Sequence, residues 1–463
     1  MAGIGFELRR ILKRRTYFSL LKAYGFAGIV SSGPWLLSIF GILLLGFLAV
    51  SQNEHSSAVI DFQVSVTYLI MSSLIFTGPV QLLFTRYIAD MLFARQKKAV
   101  ISIILMMIAG ICTLGIIVAC VIAILFFGNT PVLYQFLMGT GFVELCGVWI
   151  LTIMGTSLKD YKALVAWYLV AYTTIVIAGI YLGADQGLYG YLLAFDLGQG
   201  ILLMSLGAMV IRQFPGMLSF PGKLLSTQRM FWSLAWIGLF FNAAAWVDKI
   251  LFWFTPDTSA LVIGPLRASP IYDVPIFLSY LLIVPGLAIF LFRLETDFVE
   301  AYEAYNRAIV EGGNYSELLI AKQGMINATR TGLWDIAKVQ GITVIFAIAF
   351  TPQILSLLGY PVSYSRIFQF DVIGVSLQLL FMSILNVYFY MDLRGRSVLM
   401  TLSFFLGNVI FTWLSLEGGP FFYGMGFMFS LFIADILGLF LALRQIEWVG
   451  FTMQRSSCVP NRS

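Results

Sequence analysis

The stretch GIVSSGPWLLSIFGILLLGFLAV, residues 28–50, is long and apolar enough to cross a bilayer, yet Ser31-Ser32-Gly33-Pro34 sits near its start. Proline lacks a backbone N–H, and its ring crowds the carbonyl four residues back, here Val30. A helix through this stretch is therefore expected to kink. In lipid the freed carbonyl needs a partner, which the two serines or a neighbouring helix would supply. The next apolar run repeats the pattern at Phe76-Thr77-Gly78-Pro79, freeing the carbonyl of Ile75. Gly33, Pro34, Gly78 and Pro79 read either as moving hinges or as fixed packing kinks, since both residue types are common in membrane helices.

Outward from these two runs the chain keeps the same character. Of its 463 residues 60% are hydrophobic and 11% charged, and the mean hydropathy is +0.90. Apolar runs of spanning length recur at roughly 24–50, 62–88, 99–127, 132–156, 163–182, 189–211, 231–254, 271–293, 339–358, 367–391, 397–415 and 420–443. The expected fold is an all-α polytopic membrane protein of about twelve transmembrane helices. Arg9, Arg10, Lys13, Arg14, Arg15 and Lys22 precede the first run, and Arg95, Lys97 and Lys98 follow the second. Continuing the alternation, only Arg267 and Arg366 of the 28 basic residues fall in loops on the other side, with Lys249 near a helix end facing it. The positive-inside rule then places both termini in the cytoplasm. The first run is too long for a cleavable signal peptide and is expected to be retained. Cys112, Cys120 and Cys146 lie in spans and Cys458 in the tail, so no structural disulfide is implied.

Residues 1–23 read as a basic amphipathic segment on the inner leaflet. The proline-broken stretch 212–230 divides the helices six and six, giving an N-lobe over 24–211, a C-lobe over 231–443 and a tail over 444–463. The second and eighth spans end alike, in GPVQLLFTRYIAD and PGLAIFLFRLETD, and the sixth and twelfth carry Asp196 and Asp435 in similar surroundings. Such halves suggest two parallel repeats around a pathway. Within the C-lobe, residues 294–338 show helical spacing around Gly312-Gly313 and read as two amphipathic cytoplasmic helices. They serve either as a docking platform or as a coat on the inner leaflet.

Ionisable groups inside the spans mark the pathway candidates: Glu144, Asp196 and Asp435 deep in the membrane, and Asp248, Asp273 and Asp371 nearer the outer ends. An acid at the bilayer centre costs roughly 2.5–3.5 kcal/mol, so it is expected to face a bundle interior or a watery cavity. An acidic lumen favours cationic or amino-bearing cargo. The outer acids also read as interfacial charges or solvated caps. Arg86 with Asp90 and Arg293 with Asp297 are candidate cytoplasmic gate pairs, or ordinary i,i+4 pairs on exposed turns.

Enzyme signatures fail. GMLSFPGK at 216–223 has the wrong spacing for a phosphate loop, Glu295 and Glu303 lack a nucleotide-binding fold around them, and the one histidine, His55, lies in an outer loop. No metal cluster, cofactor site or catalytic triad assembles. The expectation is a transporter without catalysis. The acceptor-like Asn314 and Asn327 fall on the cytoplasmic side and are expected to stay unmodified.

The opening MAGIGFELRRILKRRTYFSLLKAYGFAGIVSSGPWLLSIFGILLLG, the second-span TGPVQLLFTRYIADMLF and the twelve-span layout resemble the PelG-type exopolysaccharide exporters of the multidrug/oligosaccharidyl-lipid/polysaccharide (MOP) flippase superfamily. The resemblance implies two six-helix lobes around an alternating cavity in the bacterial cytoplasmic (inner) membrane. It also implies export of the amino-sugar-rich Pel polysaccharide with a cytoplasmic glycosyltransferase and membrane scaffold partners. A lipid-linked glycan flippase or a cation-coupled multidrug antiporter would share the plan.

Overall fold

The computed structural model describes residues 56–93, 97–157, 161–214 and 231–457, together with Ser38, Gly41 and Leu45. The 1–23 segment, Gly33 and Pro34, most of the 212–230 stretch and the last residues of the tail lie outside the described residues. The rest is almost wholly helical. Ten described helices are long and apolar enough to cross a membrane, or eleven when one bent pair counts as a single span.

The chain forms two compact units, divided between Asp273 and Val274. The first contains α1 (Ser56–Phe93), α2 (Lys97–Phe126), α3 (Val132–Ser157), α4 (Tyr161–Gln186), α5 (Leu188–Gln213) and α6 (Trp232–Phe254). Its core is drawn from α1 to α5 and includes Phe62, Phe84, Ile104, Tyr134, Tyr168, Phe195 and Leu202. α2 turns much of its outer half outward, with Ile124 77% exposed, as a lipid-facing helix must. Polar residues survive inside α1 because their hydroxyls bond back to the preceding turn. Ser65 donates to Asp61 O at 2.6 Å, Thr67 to Gln63 O at 2.7 Å and Ser72 to Tyr68 O at 2.7 Å.

A short hairpin, β1 (Ala260–Ile263) and β2 (Leu266–Ala268), closes the first unit after α6. Hydropathy did not predict it, because each strand is too short to register beside the spans. Gly264 turns the hairpin at φ 53°, and a side chain there would press on Thr130.

The second unit takes in most of α7 (Pro270–Leu281), then α8 (Val284–Phe292), a π-helical turn (Arg293–Phe298), α9 (Val299–Val310), α10 (Tyr315–Ala349), α11 (Thr351–Leu357), α12 (Ser365–Tyr390), α13 (Arg394–Glu417) and α14 (Met425–Ser457). α14 packs along α12 and α13 through Leu431 and Ala434, both fully buried. The chain breaks at Gly312-Gly313, as its sequence predicts, with Gly312 at φ 70°. Asn314 then caps α10, accepting from Glu317 N at 2.9 Å while Glu317 Oε2 accepts from Asn314 N at 3.0 Å. The 294–338 stretch is not a free-standing pair of helices. Its first half continues the eighth span, and its second runs unbroken into the ninth as α10.

Candidate functional site

Glu144 projects from α3 and Asp196 from α5, and each rests on a glycine of the other helix. A Cβ on Gly141 of α3 would stand 2.8 Å from Asp196 Oδ1, and one on Gly200 of α5 would stand 3.1 Å from Glu144 Oε1. The spacings create this exchange: Gly141 and Glu144 are three residues apart on α3, and Asp196 and Gly200 four apart on α5, so each acid–glycine pair shares a helix face. The two acids thus share the α3–α5 seam, each against a glycine of the facing helix. Asp196 is 6% exposed, and among the described residues no hydrogen-bond donor reaches either of its oxygens, or Oε2 of Glu144. Two facing acids without a donor form a receptive acceptor site, because a cation, an amine or a hydroxyl would relieve both burial and mutual repulsion.

A second cluster gathers at the far end of α6. Asp248 and Lys249 are both buried and pair at 3.0 Å. Tyr272 donates its hydroxyl to Asp248 Oδ2 at 2.6 Å, and Lys249 Nζ also reaches Ala245 O at 3.0 Å. Asp273 accepts from Trp253 Nε1 at 2.8 Å and from Ser269 N at 2.8 Å. Rings wall the cluster, with Phe252 stacked on Tyr272 at 3.9 Å and Tyr68 on Trp253 at 4.5 Å. Arg267 fastens the hairpin beside it, donating from Nε to Ser259 Oγ at 2.9 Å and to Trp253 O at 3.1 Å. Asp248 is thus buried and paired, and Asp273 is partly buried and hydrogen-bonded at the start of α7. Sequence reading named Asp248 and Asp273 but missed Tyr272 and Trp253, whose aromatic spacing resembles ordinary span filler.

In the second unit Asp371 is fully buried on α12, against the backbone of Gly424. Asp435 on α14 is 3% exposed, and no described donor reaches its oxygens. Among the described residues no group of three or more His, Cys, Asp or Glu side chains converges as a metal site would require.

Pro79 sits inside an unbroken α1. Thr77 Oγ1 donates to Ser73 O at 2.7 Å rather than to the carbonyl freed by the proline. Arg86 pairs with Asp90 at 3.1 Å, with both side chains more than two-fifths exposed. Arg293 does more: beside Asp297 at 2.7 Å it holds Asp335 of α10 at 2.7 Å, a partner forty-two positions away that i,i+4 spacing does not reveal.

The sequence matches the PelG exopolysaccharide exporter (EPS-E) family over residues 1–452. Among individually curated proteins nothing matches. Solved structures share the fold at low identity. A MATE transporter in its bent conformation is 14% identical, with TM-score 0.65 and coverage of 93% of this chain and 96% of that one. An outward-facing multidrug resistance MATE family transporter of the MOP superfamily is 13% identical, with TM-score 0.60 and coverage of 92% and 96%. A MOP superfamily transporter from Pyrococcus furiosus, described by the reverse polarity of its binding pocket, is 13% identical, with TM-score 0.58 and the same two coverages. At such identities the likeness establishes a MATE-like, MOP-type transporter fold, and the match across nearly the whole sequence establishes that the chain belongs to the PelG exopolysaccharide exporter family.

Proposed function

We propose that this membrane transporter moves an amino-sugar-rich, Pel-like polysaccharide out across the bacterial cytoplasmic membrane, receiving it from a cytoplasmic glycosyltransferase. The family match supports polysaccharide as the cargo. The observation that carries the pathway assignment is the Glu144–Asp196 pair, two carboxylates facing one another across α3 and α5 with unfilled acceptor positions. Sugar hydroxyls, amide N–H groups and free amines are the donors that a glycan offers, and buried acceptors gain most from donors that replace lost water. Asp248, Asp273, Asp371 and Asp435 extend the list of candidate pathway acids, with Asp248 engaged by Lys249 and Tyr272 and Asp273 by Trp253 and Ser269. In this reading the Arg86–Asp90 and Arg293–Asp297 pairs close the cytoplasmic side, and the α9–α10 hairpin meets the synthase.

The test is export in cells lacking the native gene and complemented with the wild type or with Glu144→Gln plus Asp196→Asn. Wild-type protein restores surface polymer, and the double amide inserts normally but restores little. Export by neither, with synthesis of polymer intact inside the cell, would reject the export reading. Labelling of a cysteine at Ser316 by an impermeant reagent applied outside would reject the orientation.

A further inference from the structure

The eighth span is interrupted twice. α7 ends at Leu281 and α8 begins at Val284, with a bend of 41° between the two arms. The π-helical turn Arg293–Phe298 follows α8 directly. A rod of nine residues thus lies between two irregular joints. Both joints are bridged by side chains from the same two helices, α10 and α12.

At the first joint Pro285 contributes no N–H, so the turn before it loses a helical donor. Gln340 of α10 reaches across, donating from Nε2 to Leu282 O at 3.1 Å and to Ser376 Oγ of α12 at 3.1 Å. Gly286 makes room for it: any Cβ there would run into the Gln340 carboxamide oxygen and into Leu379. At the second joint Arg293 binds Asp335 of α10 at 2.7 Å. Glu295, 7% exposed, accepts from Asn386 at 3.5 Å and from Tyr390 at 3.4 Å, both on α12. Those two contacts are at the long, weak end of the hydrogen-bond range, so they hold the π turn lightly. Isolated π turns recur at functional positions in helices, and broken spans are where membrane transporters place moving parts.

We propose that α8 is a swinging segment of the transport cycle, and that Gln340 and Glu295 are the positioning residues that latch its two ends in the arrangement seen here. The inference rests on the export reading above. Ala288, Leu291, Leu294 and Phe298 are buried along the segment, and the polar bridges at its two joints are the contacts that exchange without melting a helix. Gln340 is central because its amide caps the Leu282 carbonyl at the break and ties that joint to α12 through Ser376.

A reversible lock tests this. A Cβ on Gly332 of α10 would lie 3.4 Å from Arg293 Cβ, close to the separation a disulfide needs. In a Gly332→Cys, Arg293→Cys variant, oxidation is expected to lower export by about tenfold or more and reduction to restore it, as for a gating step. Full export by the oxidised, cross-linked protein would overturn the proposal. If the reduced variant is inactive because Arg293 is gone, hydrogen exchange on the intact chain in nanodiscs decides. Amides 283–298 are then expected to exchange faster than those of α12, and faster again in Gln340→Ala. Equally slow exchange in both segments, unmoved by Gln340→Ala, would also overturn it. Failure of the export reading looks different, as absent wild-type export with the exchange pattern intact.

Discussion

Gly78 of α1 and Gly238 of α6 cross backbone against backbone. A Cβ on Gly78 would stand 2.8 Å from Gly238 O, and one on Gly238 would run into the Gly78 carbonyl. Asn242 braces the crossing by donating to Gly238 O at 2.9 Å. Close backbone approach at small residues is a main source of helix association in lipid, where there is no hydrophobic force between helices. Gly78→Ala or Gly238→Ala is expected to destabilise the protein by about 1–3 kcal/mol, the usual cost of overpacking. Gly341→Ala on α10, which meets nothing within 4 Å, is expected to leave stability unchanged. Thermal unfolding in detergent separates the two cases.

Pro79 follows that crossing directly, which couples kink and contact. Pro79→Ala restores an N–H for the carbonyl of Ile75 while leaving Gly78 in place. If α1 bends during transport, the alanine variant, alone or with Pro34→Ala, melts near the wild-type temperature yet exports less polymer. Wild-type export from the well-inserted double variant would make the prolines packing features.

The spans were legible because an apolar run of some twenty residues has few alternatives in lipid, and the observed helices fall within a few residues of most predicted runs. What hydropathy averages away was not legible. Gln340 stands at the head of an apolar run, and nothing in its neighbours announces that it repairs a break nearly sixty residues earlier. Leu261, Val262 and Ile263 looked like loop residues, although Gly264-Pro265 was a turn signal for the hairpin. The acids were found because charge in a span is conspicuous, and so was Lys249 beside Asp248, but Tyr272 and Trp253, which donate to Asp248 and Asp273, carry no charge to betray them.

Lys249 illustrates the energetic difference between a pair and a lone charge. Its ammonium and Asp248 are both buried and mutually satisfied. Lys249→Met leaves the buried carboxylate of Asp248 without its paired cation and is expected to cost about 3–5 kcal/mol. Adding Asp248→Asn removes the stranded charge, so the double variant recovers most of the loss. A thermal-stability cycle over the four proteins gives the coupling directly, and simple additivity would show that the pair is not interacting.

The two arginine pairs should also part company. Arg86 and Asp90 are solvent-accessible, and Asp90→Asn is expected to change stability by no more than about 0.5 kcal/mol. Arg293 joins the π turn to α10 through Asp335, whose side chain is 23% exposed. Asp335→Asn is therefore expected to loosen residues 293–298, seen as faster hydrogen exchange there and not in α13.

Glu144 and Asp196 give the most consequential prediction. Converting both to amides removes two charges whose burial opposes folding, so the variant should insert and melt at least as well as the wild type. A purely structural role predicts the opposite, since a structural carboxylate would leave its donors stranded, and here no described donor reaches Asp196. Export, by contrast, is expected to fall severalfold, because an amide replaces one acceptor oxygen with a donor and offers no charge to an amine. Gly200→Ala provides a check that keeps both acids: its methyl would press on Glu144 Oε1 at 3.1 Å and displace the acceptor without removing the carboxylate. Lectin staining of surface polymer, normalised to protein in the membrane, reads both variants against the wild type. Normal export from the double amide would remove these acids from the pathway, whatever their burial.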